Sequence, residues 1–127
     1  MVEVRVNNTN NVMVVTFRGI VDVQQVEKLY TNIQQIISKL ESGFKILTDL
    51  SLLESIDTKT HLVIENMMQL CNQHGVSKVI RVIPDSNKDI GFNIMSLFNY
   101  SPDVGIVTYQ SIEEAFRHIS LGDSVQQ

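Results

Sequence analysis

Two aspartates eight residues apart, Asp49 and Asp57, frame the segment DLSLLESIDTKTH at residues 49–61. Two acids around a tight connection suit a catalytic site, a phosphorylation switch, or only a helix cap and a turn. Asp57, His61 and Glu65 follow at i, i+4 and i+8, a spacing that sets carboxylate and imidazole on one helical face and so suggests a metal. Three ligands on one straight helix seldom close a metal site, and the chain offers no second His or Cys cluster, so a solvated face is the stronger reading. Cys71 and His74 stand at i, i+3, but a Cys–His nucleophile also needs an orienting group and an oxyanion hole, and neither is evident. Asp57 has a structural use of its own, because an aspartate ahead of a helix accepts orphan N–H bonds and complements the positive end of the helix dipole. Asp49 follows an apolar run of strand length, where a turn-forming role and a binding role weigh about equally.

The composition narrows the choice. At 127 residues and 14.4 kDa the chain suits one domain, expected over 1–120 with a frayed tail at 121–127. Hydrophobic residues make up 43% and charged residues 19%, the balance of a globular protein. A net charge of -4, with ten basic residues scattered along the chain, offers no patch for nucleic acid. The start MVEVRVNNTN lacks the basic and apolar regions of a secretory leader, and no apolar run reaches the ~18 residues of a membrane span, so a cytoplasmic location is expected. One cysteine cannot form an internal disulfide, and Cys71 lies in an apolar stretch that predicts a buried, unreactive thiol. None of the six glycines falls into a dinucleotide or P-loop pattern, so no nucleotide cofactor is expected, and no other cofactor either.

The elements that must position these residues read as ββαβαβαβα. Val2, Val4 and Val6 alternate with Glu3 and Arg5, a half-buried strand, and residues 12–17 form a second after the polar loop NNTNN. Asp22 with Gln25 makes a capping box for a helix whose apolar positions run from Val26 to Leu40, stopping at Gly43. FKILTDL is a third strand, and Asp57 opens a helix with a stripe through Val63, Ile64, Met67, Met68 and Cys71, ending at His74-Gly75. Residues 76–83 are a strand stopped by Pro84, and Asp85 or Ser86 caps a helix carrying Ile90, Ile94, Leu97 and Phe98. The strand 104–109 and a helix capped by Ser111 and Glu114 complete an α/β fold with a mixed, mostly parallel sheet and about four helices.

In their order and spacing, VVTFRGIVD, FKILTDLSLLESIDTKT, SKVIRVI and VGIVTYQSIEEAF resemble a STAS domain, the sulfate transporter and anti-sigma factor antagonist family, over roughly residues 2–120. Gly19 with Asp22, Asp49-Leu50-Ser51, and Ile56-Asp57 stand where that family carries its recurring motifs. The resemblance implies a non-catalytic protein-binding module. Its partner surface would comprise Asp22, Asp49, Ser51, Asp57, Thr58, Lys59 and Thr60, centred on the tip of the second helix. In anti-sigma factor antagonists that tip docks onto an anti-sigma factor, a serine kinase of the GHKL class, and phosphorylation there breaks the complex. Here the family's Ser-Ser-Gly maps onto Thr58, Lys59 and Thr60, so Lys59 replaces the phosphoacceptor serine. Thr58 and Thr60 remain as candidate acceptors, but one residue along a helical turn is a rotation of about 100 degrees, which aims either hydroxyl elsewhere. A module without the reversible switch is therefore expected. Self-association into a homodimer is left open. The alternative is a regulatory protein binding a small ligand or lipid between its second and third helices, near Met67, Met68, Phe92 and Met95. An enzyme built on Asp49, Asp57 and His61 lacks a completed constellation.

Overall fold

A computed structural model describes residues 1–83, 95–96 and 99–117. Five strands form one sheet in the order β1-β2-β3-β4-β5, with β1 (Val2–Asn7), β2 (Val12–Val21), β3 (Lys45–Ile56), β4 (Lys78–Val82) and β5 (Gly105–Tyr109). β1 and β2 form the expected antiparallel hairpin, and every later pairing is parallel. The hairpin turns through Asn11, whose φ of 54° lies in the left-handed region that asparagine tolerates.

Helix α1 (Val23–Ile36) starts at the expected capping box: the Asp22 carboxylate accepts the Gln25 N–H at 2.9 Å, and the Gln25 side chain accepts the Asp22 N–H at 3.1 Å. It stops short of the predicted end, tightening into a 3-10 turn over Ile37–Lys39 before the chain reverses at Gly43. Helix α2 (His61–Gln73) ends as expected at His74-Gly75. There the Gly75 N–H reaches Asn72 O and the Val76 N–H reaches Cys71 O, both at 3.2 Å, with Gly75 at φ 88°. That pair of bonds is a Schellman cap, and it needs the left-handed residue.

Because each parallel crossover advances one strand with the same hand, α1 and α2 lie on one face of the sheet. Val26, Leu29 and Ile33 from α1 and Ile64, Met67 and Met68 from α2 close over Met13, Val15, Phe17, Ile46 and Val79. Met95 joins this core, which places it on the same face. The start of the helix expected from Asp85 or Ser86, with Phe92, lies outside the described residues; residues 95, 96 and 99 are helical. The opposite face is covered by the helical segment 112–117, where Ala115 is buried with Val12, Leu47, Ile80 and Val82. Of that segment's expected capping box, Ser111 Oγ accepts the Glu114 N–H at 3.3 Å. No described helix is long and apolar enough to cross a membrane.

The clearest difference from expectation is β3. It runs twelve residues, six past the predicted end, and Asp49 sits in mid-strand. Against two steps of β2, from Thr16 to Arg18, β3 takes three, from Asp49 to Leu52, and it takes another extra residue between Leu53 and Ser55. These two bulges break the period-2 pattern by which a strand is recognised in a sequence. Pairing with β4 ends at Asp49–Val82, so beyond that point, among the described residues, β3 pairs only with β2 and the two run on as a ribbon.

Candidate functional site

The ribbon ends where Val21 pairs with Ile56, which brings the following residues, Asp22 and Asp57, to the same end of the sheet. A bond from the Asp57 N–H to Val21 O, 3.0 Å long, locks this junction. Asp57 then caps the descent into α2, its carboxylate accepting the Lys59 N–H at 2.9 Å. What it caps is a 3-10 turn, Thr58–Thr60, ahead of the α-helix.

That tighter turn changes which side chains face outwards. Thr58 and Lys59 are exposed at the tip, as the sequence suggests. Thr60 is not: it is 0% exposed, and its hydroxyl donates to Asp57 O at 2.6 Å. A 3-10 turn has about three residues, which swings Thr60 beneath the strand end and against the start of α2. Thr60 therefore braces the tip from inside, and its expected place on the partner surface and as an exposed acceptor is corrected to that role.

Asp49 and Ser51 are not brought to the tip. Asp49 shares a face with Thr16 and Val82, on the side of the sheet away from α2, and its carboxylate accepts both the Ser51 N–H at 3.0 Å and the Ser51 hydroxyl at 2.6 Å. This local bond holds the first bulge of β3. Extended chain on the order of 20 Å long separates Asp49 from Asp57, so the two acids do not form one carboxylate pair.

Nor do the other candidate constellations close. Glu65 accepts a bond from the Asn99 side chain at 3.0 Å, while His61 is exposed at the start of α2, beyond the 3-10 turn that breaks the i, i+4 geometry from Asp57. Among the described residues no three metal-ligating side chains come together. Cys71 is buried, and burial pushes its thiol up to about 12, far from a reactive thiolate. His74 turns its Nδ1 towards Leu70 O at 3.0 Å, outside the core that holds Cys71.

Sequence reasoning missed the apolar surroundings of the tip. Ile20 near the end of β2, Leu52 on the ribbon and Leu62 in the first turn of α2 are 73%, 63% and 70% exposed. The only signal in the sequence was positional, since Leu62 precedes the stripe that begins at Val63 and Leu52 doubles Leu53. Behind the tip, a cavity of about 60 Å³ between sheet and helices is lined mainly by apolar side chains, among them Met67, Met68 and Cys71, with Arg81 and Tyr100 at its polar margin. Arg81 is buried and donates to the Ser96 hydroxyl. Burial raises the Tyr100 hydroxyl, with the neighbouring Cys71 adding to the rise and Arg81 opposing it.

The STAS domain family matches residues 3–115. The chain belongs to the STAS domain family. Among solved structures the fold is similar to an uncharacterised Shewanella loihica protein with a SpoIIAA-like fold, at a TM-score of 0.68, 8% identity, and coverage of 94% of this chain and 92% of that one. It is also similar to the unphosphorylated anti-sigma factor antagonist SpoIIAA (TM-score 0.62, 17% identity, 94% and 98% coverage). An anti-sigma factor antagonist from Mycobacterium paratuberculosis gives 0.59, 14% identity, and 94% and 95% coverage. No curated protein sequence matches the chain. At these identities the likeness is one of fold, and it agrees with the STAS architecture: a five-stranded mixed sheet with a helix tip at the carboxyl end of β3.

Proposed function

We propose that this STAS domain is a non-catalytic, cytoplasmic interaction module of the anti-sigma factor antagonist type, docking through the tip of α2 and lacking the reversible phosphoserine switch. Lys59 carries the reading: it stands where the family resemblance expects a serine, it is exposed, and its backbone N–H is already held by Asp57. Among the described residues its ammonium has no partner, and a serine kinase finds no hydroxyl at that position. Thr58 carries the one exposed hydroxyl of the turn Thr58–Thr60, and Thr60 is enclosed. Leu62 and Ile20 add exposed apolar area beside the charge, in keeping with interfaces that join an apolar core to a polar rim. An anti-sigma factor, a serine kinase of the GHKL class, is the partner this surface fits best.

The experiment is a titration of the chain against GHKL-class anti-sigma kinases from its own source, followed by intact-mass measurement after incubation with ATP. Binding without phosphate transfer is expected. Lys59→Glu should weaken binding tenfold or more while leaving thermal stability within a degree or two, since an acid near a helix N-terminus is tolerated or favoured. Indifference of the complex to Lys59→Glu moves the contact elsewhere, and phosphate on Thr58 restores the switch.

A ligand-binding reading rests on the cavity behind α2. Its volume of about 60 Å³ is well under the roughly 150 Å³ that admits benzene, so a lipid chain does not fit without displacing Met67 or Met68. Interaction through the tip is the better supported of the two.

A further inference from the structure

β1 closes one edge of the sheet, and among the described residues no strand lies beyond it. Met1 and Arg18 exchange both backbone bonds at 2.8 Å, which fixes the phase of the hairpin ladder. In an antiparallel pair such exchanges recur at every second residue, so Glu3 and Arg5 point their N–H and C=O groups at β2. Val2, Val4 and Val6 point theirs outwards. Their side chains lie half-buried against the core on the α1 side, while Glu3 and Arg5 are exposed on the other face and form no ion pair with any described residue.

The segment Val2-Glu3-Val4-Arg5-Val6 is symmetric about Val4 in its apolar positions and opposite in its charges. We propose that the outer edge of β1 pairs antiparallel with β1 of a second copy, centred on Val4, and joins the two five-stranded sheets into one. In that register Val4 exchanges both backbone bonds with the partner's Val4, and Val2 does so with the partner's Val6. Glu3 then faces the partner's Arg5, and Arg5 the partner's Glu3, at the non-hydrogen-bonded positions where strands approach to about 4.5 Å between Cα atoms. Sliding the strands by two residues sets Glu3 against Glu3 or Arg5 against Arg5, and sliding by one turns the valines to the wrong face. The charges therefore select one register and one partner, a second copy of this chain. The twofold axis stands perpendicular to the sheet, so the α1 helices of both copies flank the junction on one side, and the groove between β1 and Leu29 runs along it. Pairing also removes the exposed strand edge that otherwise invites indiscriminate association.

Sedimentation of the full chain across the micromolar range tests this, together with Glu3→Arg and Arg5→Glu. The expected result is a dimer for the native chain. Each single reversal places two like-charged pairs across the junction and weakens the dimer on the order of 10- to 100-fold. Mixed in equal amounts, the two variants should form a heterodimer of native affinity, because every cross-strand pair is again attractive. A native chain that stays monomeric, a dimer indifferent to both reversals, or a mixture that fails to associate overturns the proposal. Circular dichroism confirms that these exposed substitutions leave the fold intact. The outcome is independent of the reading of the α2 tip, whose residues are unchanged in both variants.

Discussion

Asp57 is the residue whose structural and functional roles are easiest to confuse, and two substitutions separate them. Its carboxylate accepts one bond, the Lys59 N–H at 2.9 Å, from an exposed position at the head of the turn. Removing such a cap with alanine costs about 1 kcal/mol, whereas asparagine caps almost as well as aspartate. With a urea m-value of about 2 kcal/mol/M for a domain of this size, Asp57→Ala should lower the midpoint by about 0.5 M and leave the slope unchanged. Asp57→Asn should stay near the native midpoint. The main-chain bonds from Asp57 to Val21 O and from Thr60 to Asp57 O survive either change, which keeps the loss to the cap alone. Chemical unfolding followed by far-UV circular dichroism measures both variants. If alanine costs nothing, or asparagine costs as much as alanine, the capping account of this turn is wrong. Should Asp57→Asn then lose the partner at native stability, the carboxylate also makes a contact of its own.

Gly75→Ala should cost at least about 1–2 kcal/mol in the same assay, because alanine is strained at φ 88° and its Cβ would run into the Ser42 side chain. Adding Ser42→Gly should recover the steric part and leave the backbone part. Burial raises the Cys71 thiol to about 12 in the folded chain against 9.0 for the free group, so above pH 9 the unfolded state releases a proton that the folded state retains. Stability is fully present below pH 9 and falls as pH rises, by at most about 1.4 kcal/mol per pH unit between 9 and 10. Tyr100, raised in the same direction, steepens the fall above pH 10. Urea titrations at stepped pH should show this slope, and Cys71→Ala should abolish it below pH 10. A thiol reagent at pH 8 should label the native chain only at the rate of unfolding.

Most of the frame was legible in the chain because local signals agreed with the global pattern. Alternation at Val2, Val4 and Val6, the Asp22–Gln25 box and the glycine after His74 each mark an element that the structure contains. Misreadings cluster where backbone geometry departs from an ideal period. The two bulges of β3 hid six residues of strand, and with them the ribbon that carries Leu52. The expected strand end placed Asp49 at a loop; in the structure it lies in mid-strand and its carboxylate accepts two bonds from Ser51, two residues away. At the tip, the α-helical period placed Thr58, Lys59 and Thr60 on one exposed turn, and the 3-10 geometry turned Thr60 inwards. Such a turn leaves no mark in residue types, since threonine serves equally on either side of a cap.

The geometry of β1 pairing bears on what the tips can do together. Antiparallel pairing reverses every strand of one copy relative to the other, so the carboxyl ends of the two β3 strands, and the α2 tips beyond them, face opposite ends of the joined sheet. Two tips so placed cannot press on one flat surface, and avidity for a single target is excluded. Under the proposed docking and pairing, each tip takes its own partner, giving two partners per dimer with equal affinity, because β1 lies two strands away from β3 and makes no part of the tip. Light scattering of the complex tests the stoichiometry. Arg5→Glu sharpens the test: it should give a one-to-one complex of native affinity, and a loss of partner binding in that variant would mean that pairing and docking share a surface.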